Sequence, residues 1–247
     1  MTIPSHTQGA CAIAVMAKAP RSGFSKTRLV PPLTAPQAAA MSAAFLRDTT
    51  ENIALAARAA AIDGYVAYAP AGLEALFDGH VAPGTPLLLA DGDAAMPGSV
   101  RGFGRCLLHA ITVLLDRGYT SVCVLNSDGP TLPTGILVRA AALLAEPGDR
   151  AVFGPAEDGG YYILGLKAAH AALFEDIDWS TERVAAQTRA RAASIELPMV
   201  DLPPWYDIDD HAALARLLDG PTRAGPDAYH APATWACIDR LGLRRAS

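Results

Sequence analysis

Three stretches of the chain gather residue types that handle phosphate and hard cations. The first is residues 17–29, Ala-Lys-Ala-Pro-Arg-Ser-Gly-Phe-Ser-Lys-Thr-Arg-Leu, in which Lys18, Arg21, Lys26 and Arg28 stand with Gly23 and several hydroxyls and no carboxylate. Phosphate oxygens need cationic donors and backbone N–H groups, and a glycine lets the main chain approach closely. The second is residues 125–130, Leu-Asn-Ser-Asp-Gly-Pro, which follow a β-branched apolar run. Asp128 is placed there to hold a hard divalent cation, which takes one or two carboxylates, waters and substrate phosphates. The alternative reading is an Asp-Gly turn that caps the next helix. The third is residues 153–165, in which Glu157 and Asp158 precede Gly159, Gly160 and Tyr161. Paired glycines point to tight backbone approach, with a plain hairpin as the alternative. Residues 176–181, Asp-Ile-Asp-Trp-Ser-Thr, read alone as a helix start with an aromatic packing residue. The acids of residues 205–210, Trp-Tyr-Asp-Ile-Asp-Asp, are either first-turn residues favoured by a helix dipole or a second metal ligand. Asp91-Gly92-Asp93 has a D-x-D spacing that is frequent in loops.

Charge supports a local anion site. The net charge is −5, but no acid precedes Asp48, so the first 47 residues carry +5 and the remainder −10. A net acidic chain with 6% aromatic residues and no long basic run is a poor candidate for nucleic-acid or membrane-surface binding. With 51% hydrophobic and 18% charged residues, the 247-residue chain has ample length and composition for a core. Cys11, Cys106, Cys123 and Cys237 form no C-x-x-C pair, and three sit in apolar surroundings, the pattern of buried thiols in a reducing compartment. No apolar run reaches the ~18 residues of a membrane span, and the polar start lacks the pattern of a secretory signal. The expected location is cytoplasmic.

Short apolar runs alternate with helical patterns and would position these groups. Strands are expected at 11–17, 64–69, 86–89, 121–125, 151–154, 161–166 and 195–202. Helices are expected at 36–61, 104–116, 134–145, 181–192 (Ser180 or Thr181 as N-cap), 210–218 and 234–241. Strands alternating with helices predict an α/β fold, a mostly parallel central sheet with helices on both faces. Ligands of such sheets sit beyond the carboxyl ends of the strands, where residues 18–28 and 126–130 fall. The expected organisation is a tail at 1–10, a single domain at 11–220 and an extension at 221–247, whose Trp235 and Cys237 hint at docking onto the body or across a dimer.

Other motifs fail on single positions. A P-loop ending at Lys26-Thr27 would need glycine where Pro20 and Ser25 stand. Gly102-Phe103-Gly104 opens a G-x-G-x-x-G that ends on Leu107, with no strand before it. The histidines lack zinc-site spacing, and no G-x-S-x-G elbow is present.

Taken in order, Met16-Ala17-Lys18-Ala19-Pro20 with Gly23, Lys26-Thr27-Arg28-Leu29, Ser127-Asp128-Gly129-Pro130 with Leu132, residues 154–162 (Gly-Pro-Ala-Glu-Asp-Gly-Gly-Tyr-Tyr), Trp179-Ser180-Thr181 and Asp207-Ile208-Asp209 resemble a bacterial family of transferases with the glycosyltransferase-A fold, within the nucleotide-diphospho-sugar transferase superfamily. More distantly the chain is similar to 2-phospho-L-lactate guanylyltransferase and molybdenum-cofactor guanylyltransferase. The match spans roughly residues 11 to 219. It departs where the family usually has Cys and this chain has Gly129, and in a longer segment at 91–104. The resemblance implies a Rossmann-like glycosyltransferase-A fold and a Mg²⁺- or Mn²⁺-dependent transferase acting on a nucleotide-activated donor, either a nucleotide sugar or a nucleoside triphosphate. Nucleotidyl transfer to a phosphorylated small molecule is the alternative reaction, and a non-catalytic nucleotide-binding regulator the alternative class. By the same resemblance Asp128 holds the metal and is catalytic. Asp209 is the second ligand, with Asp207 as fallback. Lys18, Arg21, Gly23, Lys26 and Arg28 bind phosphate. Glu157 and Asp158 sit at the acceptor side, with Asp158 the candidate base or hydroxyl ligand, and Glu157, Gly159, Gly160, Tyr161, Trp179, Ser180 and Thr181 bind substrate. The partners implied are a nucleotide or nucleotide-sugar donor and a small-molecule acceptor, without nucleic acid or membrane; a homo-oligomer is left open by the tail.

Overall fold

A computed structural model describes residues 9–92, 96–219 and 228–244. Asp93, most of the 1–10 tail and the start of the 221–247 extension lie outside the described residues. In chain order the elements are β1 (Cys11–Ala17), α1 (Ala35–Ala56), β2 (Ile62–Tyr68), β3 (Leu87–Leu89), α2 (Phe103–Asp116), β4 (Ser121–Asn126), α3 (Thr134–Ala145), β5 (Ala151–Pro155), β6 (Tyr161–Leu166), α4 (Val184–Ser194), β7 (Met199–Asp201), α5 (His211–Leu218) and α6 (Pro232–Arg240). Among the described residues the strands form one seven-stranded sheet in the order β3-β2-β1-β4-β6-β5-β7. Neighbours are parallel except around β6, which runs antiparallel to β4 and β5.

Side-chain alternation along the strands builds a core on each face. Ala12 and Ala14 of β1 and Val122 and Val124 of β4 pack under α2 with Leu107, Ile111 and Leu114. Ile13 and Val15, with Cys123 and Leu125, face α1 and α3 through Leu46, Ile53, Leu137 and Leu144. A third cluster joins the start of α1 to α5 and α6 through Met41, Phe45, Tyr206, Ile208, Leu217 and Ile238. The chain leaves β1 towards β2 and β3 on one side and places β4 on the other, so the topological switch point lies between β1 and β4. Met16 pairs with Asn126 at that end. Both polar loops therefore leave the sheet side by side.

Several boundaries differ from expectation. The alanine-rich helix expected over 36–61 ends at Ala56. Propensity would carry it on, but the backbone turns so that Ala61 O accepts from Cys11 N at 2.9 Å and Ile62 joins β1 in register. The helix expected over 181–192 begins at Val184, because Ser180 is left-handed (φ 66°) and Thr181 Oγ1 bonds back to Asp178 O at 2.7 Å. The strand expected over 195–202 shrinks to β7. Ile195–Leu197 instead closes α4, with Leu197 N on Ala192 O at 3.0 Å and Glu196 left-handed at φ 54°. Elsewhere β1, β6 and α3 have the expected limits.

The extension's helix docks on the body. Cys237 and Ile238 of α6 are buried against Met41 and Phe45 of α1. The first turn of α6 carries no side-chain cap of its own. Fully buried Asp48 on α1 supplies one from across the interface, accepting from Ala233 N at 2.9 Å and Thr234 N at 2.6 Å. Burial pushes the Asp48 carboxyl pKa upward, against the pull of those donors. Asp48→Ala strands two buried N–H groups and is expected to lower stability by about 2–4 kcal/mol in urea titrations. Asp48→Asn keeps one acceptor and should lose less. A loss under about 0.5 kcal/mol, the range of ordinary surface changes, would show that Asp48 is not the clamp on α6.

Candidate active site

The loop after β1 is built around a buried hydroxyl. Ser25 Oγ donates to Ala19 O and accepts from Arg21 N, both at 3.0 Å. Arg21 O accepts from Phe24 N and Ser25 N, also at 3.0 Å, and Gly23 supplies the left-handed turn at φ 79°. The loop thus folds over its own serine and leaves Lys18, Arg21 and Arg28 exposed. Arg21 lies 3.6 Å over the ring of Phe24, which is itself 62% exposed.

Lys26 turns inward. It is left-handed (φ 50°), and its side chain is only 7% exposed. Its ammonium lies 2.6 Å from Asp128 Oδ1, 2.7 Å from Asp209 Oδ1 and 2.9 Å from Ile208 O. Burial acts to lower the Lys26 pKa, but Asp128 and Asp209 outweigh it, and the net shift is upward. The cation expected at the phosphates therefore sits on the two carboxylates expected at the metal.

Asp128 and Asp209 come from distant parts of the chain, and the backbone aligns them. Ile208 N donates to Asp128 O at 2.8 Å. Ser127 Oγ donates to Asp128 Oδ1 at 3.2 Å. Between them Asp207 accepts from Asn126 Nδ2 at 2.8 Å through Oδ2, while its Oδ1 is buried without a hydrogen-bond partner. Burial first, and then the Asp128 charge, pushes the Asp207 carboxyl up to about 7. At Gly129 a Cβ would stand 3.6 Å from Asp207 Oδ1, an ordinary contact, so the departure from the family cysteine leaves this pocket intact.

The β5–β6 turn forms the neighbouring wall. Asp158 Oδ1 accepts from Gly160 N at 2.9 Å, and the Asp158 charge is felt at Asp207. Glu157 is bound by Arg216 of α5 at 2.6 Å, and Arg216 stacks 3.8 Å over Tyr206. Gly159 is required by packing: at φ 88°, a Cβ would lie 2.3 Å from Glu182 O. Tyr161 packs on Phe153 at 5.3 Å, with its hydroxyl buried. Trp179 belongs to a second group, edge-on to Phe103 at 5.7 Å, where a Cβ on Gly104 would meet it at 2.8 Å. Beside it the Thr181 hydroxyl also accepts from Arg183 N at 3.3 Å. Asn126, Arg216 and Phe45, whose ring lies 5.5 Å from Lys26 Nζ, complete the surroundings. Asn126 was legible as part of its motif. Arg216 and Phe45 carried no signal.

The donor set suits a hard cation: two carboxylate oxygens and a carbonyl oxygen converge on one ammonium. Among the described residues no three or more acidic, histidine or cysteine side chains form a metal cage on their own.

A model of the bacterial family described as "Uncharacterized protein conserved in bacteria (DUF2064)" matches residues 52–181. No curated protein matches the sequence. Among solved structures, a "putative nucleotide-diphospho-sugar transferase" from Desulfovibrio desulfuricans G20 has a TM-score of 0.77 and 24% identity, covering 95% of this chain and 97% of the other. CMP:2-keto-3-deoxy-manno-octonic acid synthetase in complex with CTP has a TM-score of 0.51 and 11% identity, covering 87% of this chain and 97% of the other. These likenesses show that the chain shares a Rossmann-like α/β fold with both proteins. No described helix is long and apolar enough to cross a membrane.

The Asp207 shift carries a sign. Its folded pKa of about 7 lies above the ordinary 3.8. Between those values the folded state holds a proton that the unfolded chain has released, so Asp207 costs stability as pH rises through that window. Asp207→Asn removes this cost. The variant's melting temperature, relative to wild type without added metal, should rise from about pH 4 to about pH 7 and level off above it. A pH-independent difference would contradict the assignment.

Proposed function

We propose that this chain, which belongs to the bacterial DUF2064 family, is a divalent-metal-dependent transferase acting on a nucleotide-activated donor. The observation that carries the reading is the meeting, at the β1–β4 switch point, of a loop presenting Lys18, Arg21 and Arg28 with the Asp128–Asp209 carboxylate pair. The fold shared with the Desulfovibrio protein and with the CTP-bound synthetase supports it.

Asp128 and Asp209 would hold Mg²⁺ or Mn²⁺, with Asp207 beside them. When bound, the ion supplies Lewis-acid stabilisation of the negative charge that gathers on the departing phosphates. The chain's own residues do the rest. Lys18, Arg21 and Arg28 neutralise and orient the phosphates, and Gly23 brings the backbone close to them. Ser25 holds the loop in shape from inside. Where the acceptor is a hydroxyl, Asp158, steadied by the Gly160 N–H, accepts its proton. Glu157, Gly160, Trp179, Ser180 and Thr181 border the acceptor side, while Gly159 and Tyr161 support it from within the packing. Positioning and charge neutralisation account for most of the rate in such transfers.

Two reactions fit. In glycosyl transfer, the acceptor oxygen bonds to the sugar carbon and a nucleoside diphosphate leaves. In nucleotidyl transfer, an acceptor phosphate oxygen bonds to the α-phosphorus and pyrophosphate leaves. The density of cations in the 18–28 loop favours the second, because a triphosphate brings the larger charge.

Thermal shifts against nucleoside triphosphates and nucleotide sugars, with and without Mg²⁺ or Mn²⁺, test the reading. A ligand at about 100 times its Kd adds about 2.7 kcal/mol, or about 5–10 °C for a protein of this size. The expected result is a metal-dependent shift with one ligand class, and release of diphosphate or pyrophosphate that falls about 100-fold or more in Asp128→Asn. Binding without turnover would identify a regulator, and no shift with any ligand would contradict the function.

A further inference from the structure

The position of Lys26 has a consequence for how the site is loaded. An ammonium has three N–H donors, and here all three have an oxygen: Asp128 Oδ1 at 2.6 Å, Asp209 Oδ1 at 2.7 Å and Ile208 O at 2.9 Å. Two carboxylates and one backbone carbonyl are also an oxygen set that a hard divalent cation takes. An ion held by these same three atoms would stand where the ammonium stands. We propose that Lys26 is an internal cation occupying the metal position, that it competes directly with the divalent ion, and that it is displaced when the metal-bound donor enters. This rests on the reading of Asp128 and Asp209 as metal ligands.

Three features support competition over a purely structural role. The ammonium is nearly enclosed, with a side-chain exposure of 7%, whereas Asp128 and Asp209 remain 30% and 38% exposed and so open to an incoming ion. The lysine is presented by a left-handed residue at the rim of the cationic loop, between Ser25, which is tied inward, and Arg28, which is exposed. An ammonium leaving the carboxylates therefore emerges among Lys18, Arg21 and Arg28, where donor phosphates provide a new anionic partner. Finally, Asp207, two residues before Asp209, keeps a buried Oδ1 with no hydrogen-bond partner while the lysine is in place. The arrangement makes the free site a weak binder of metal alone and couples metal entry to the donor.

The test is Mn²⁺ binding without nucleotide, read by the electron paramagnetic resonance of free Mn²⁺ and by melting temperature, in wild type, Lys26→Met, Lys26→Gln, and Lys26→Met combined with Asp128→Asn. Competition predicts that Mn²⁺ binds Lys26→Met at least about tenfold more tightly than wild type, close to 1.4 kcal/mol. It predicts that Mn²⁺ raises the melting temperature of that variant more than that of wild type, and that Asp128→Asn removes the gain. Lys26→Gln reports the same result if the methionine variant folds poorly. Equal Mn²⁺ affinity in wild type and both Lys26 variants, with Asp128→Asn weakening it, would overturn the competition while the metal site stands. Weaker binding in the Lys26 variants would overturn it as well. If Mn²⁺ binds neither wild type nor the variants, the metal-ligand reading and the competition fall together.

Discussion

Carboxylates crowded at the end of a sheet need a cation or a proton among them, and in this protein one lysine supplies the cation. Lys26 Nζ touches Asp128 after β4, and Asp209 and the Ile208 carbonyl before α5. It thereby ties three separate chain segments at the point where β1 and β4 part. Removing one partner of a buried charge pair leaves the others uncompensated, which is costly. The Asp128 O to Ile208 N bond and the Asn126–Asp207 bond repeat the connection through neutral or half-neutral groups. The segment from Trp205 to Asp210 is therefore held to the sheet by its polar residues as much as by Tyr206 and Ile208 in the core.

From that tie the rest of the site follows. With Lys26 turned in, the loop's other cations stay at the surface, and Ser25 keeps the loop folded while they do so. Asp207, next to two charged carboxylates and largely removed from water, remains protonated well above the ordinary carboxylate range. Arg216 bridges from α5 to Glu157 and so joins the β5–β6 turn to the helix that follows Asp209.

Much of this was legible from local pattern. The β1, β6 and α3 limits followed from unbroken apolar runs with polar punctuation on both sides, and the placement of both polar loops at carboxyl ends followed from strand–helix alternation. The antiparallel insertion of β6 between β4 and β5 was not legible, because strand order is set by long-range pairing that no local window contains. The same holds for the partner of Lys26. Its acid-free surroundings read as a phosphate loop, whereas its ammonium meets Asp209, 183 residues away. Gly159 and Tyr161 sit in the family motif, yet packing explains both: one fits against Glu182, the other lies against Phe153. Conversely, Trp235 and Cys237 read as a docking hint, and α6 does pack on α1.

The most direct test of the account is where a metal lands. Crystals grown with Mn²⁺ and the most stabilising nucleotide, measured at the manganese absorption edge, would locate the ion by its anomalous signal. The account predicts one peak between Asp128 and Asp209, with the Lys26 ammonium moved from both carboxylates onto a donor phosphate. A nucleotide bound with Lys26 still on Asp128 and Asp209 and no manganese beside them would contradict it.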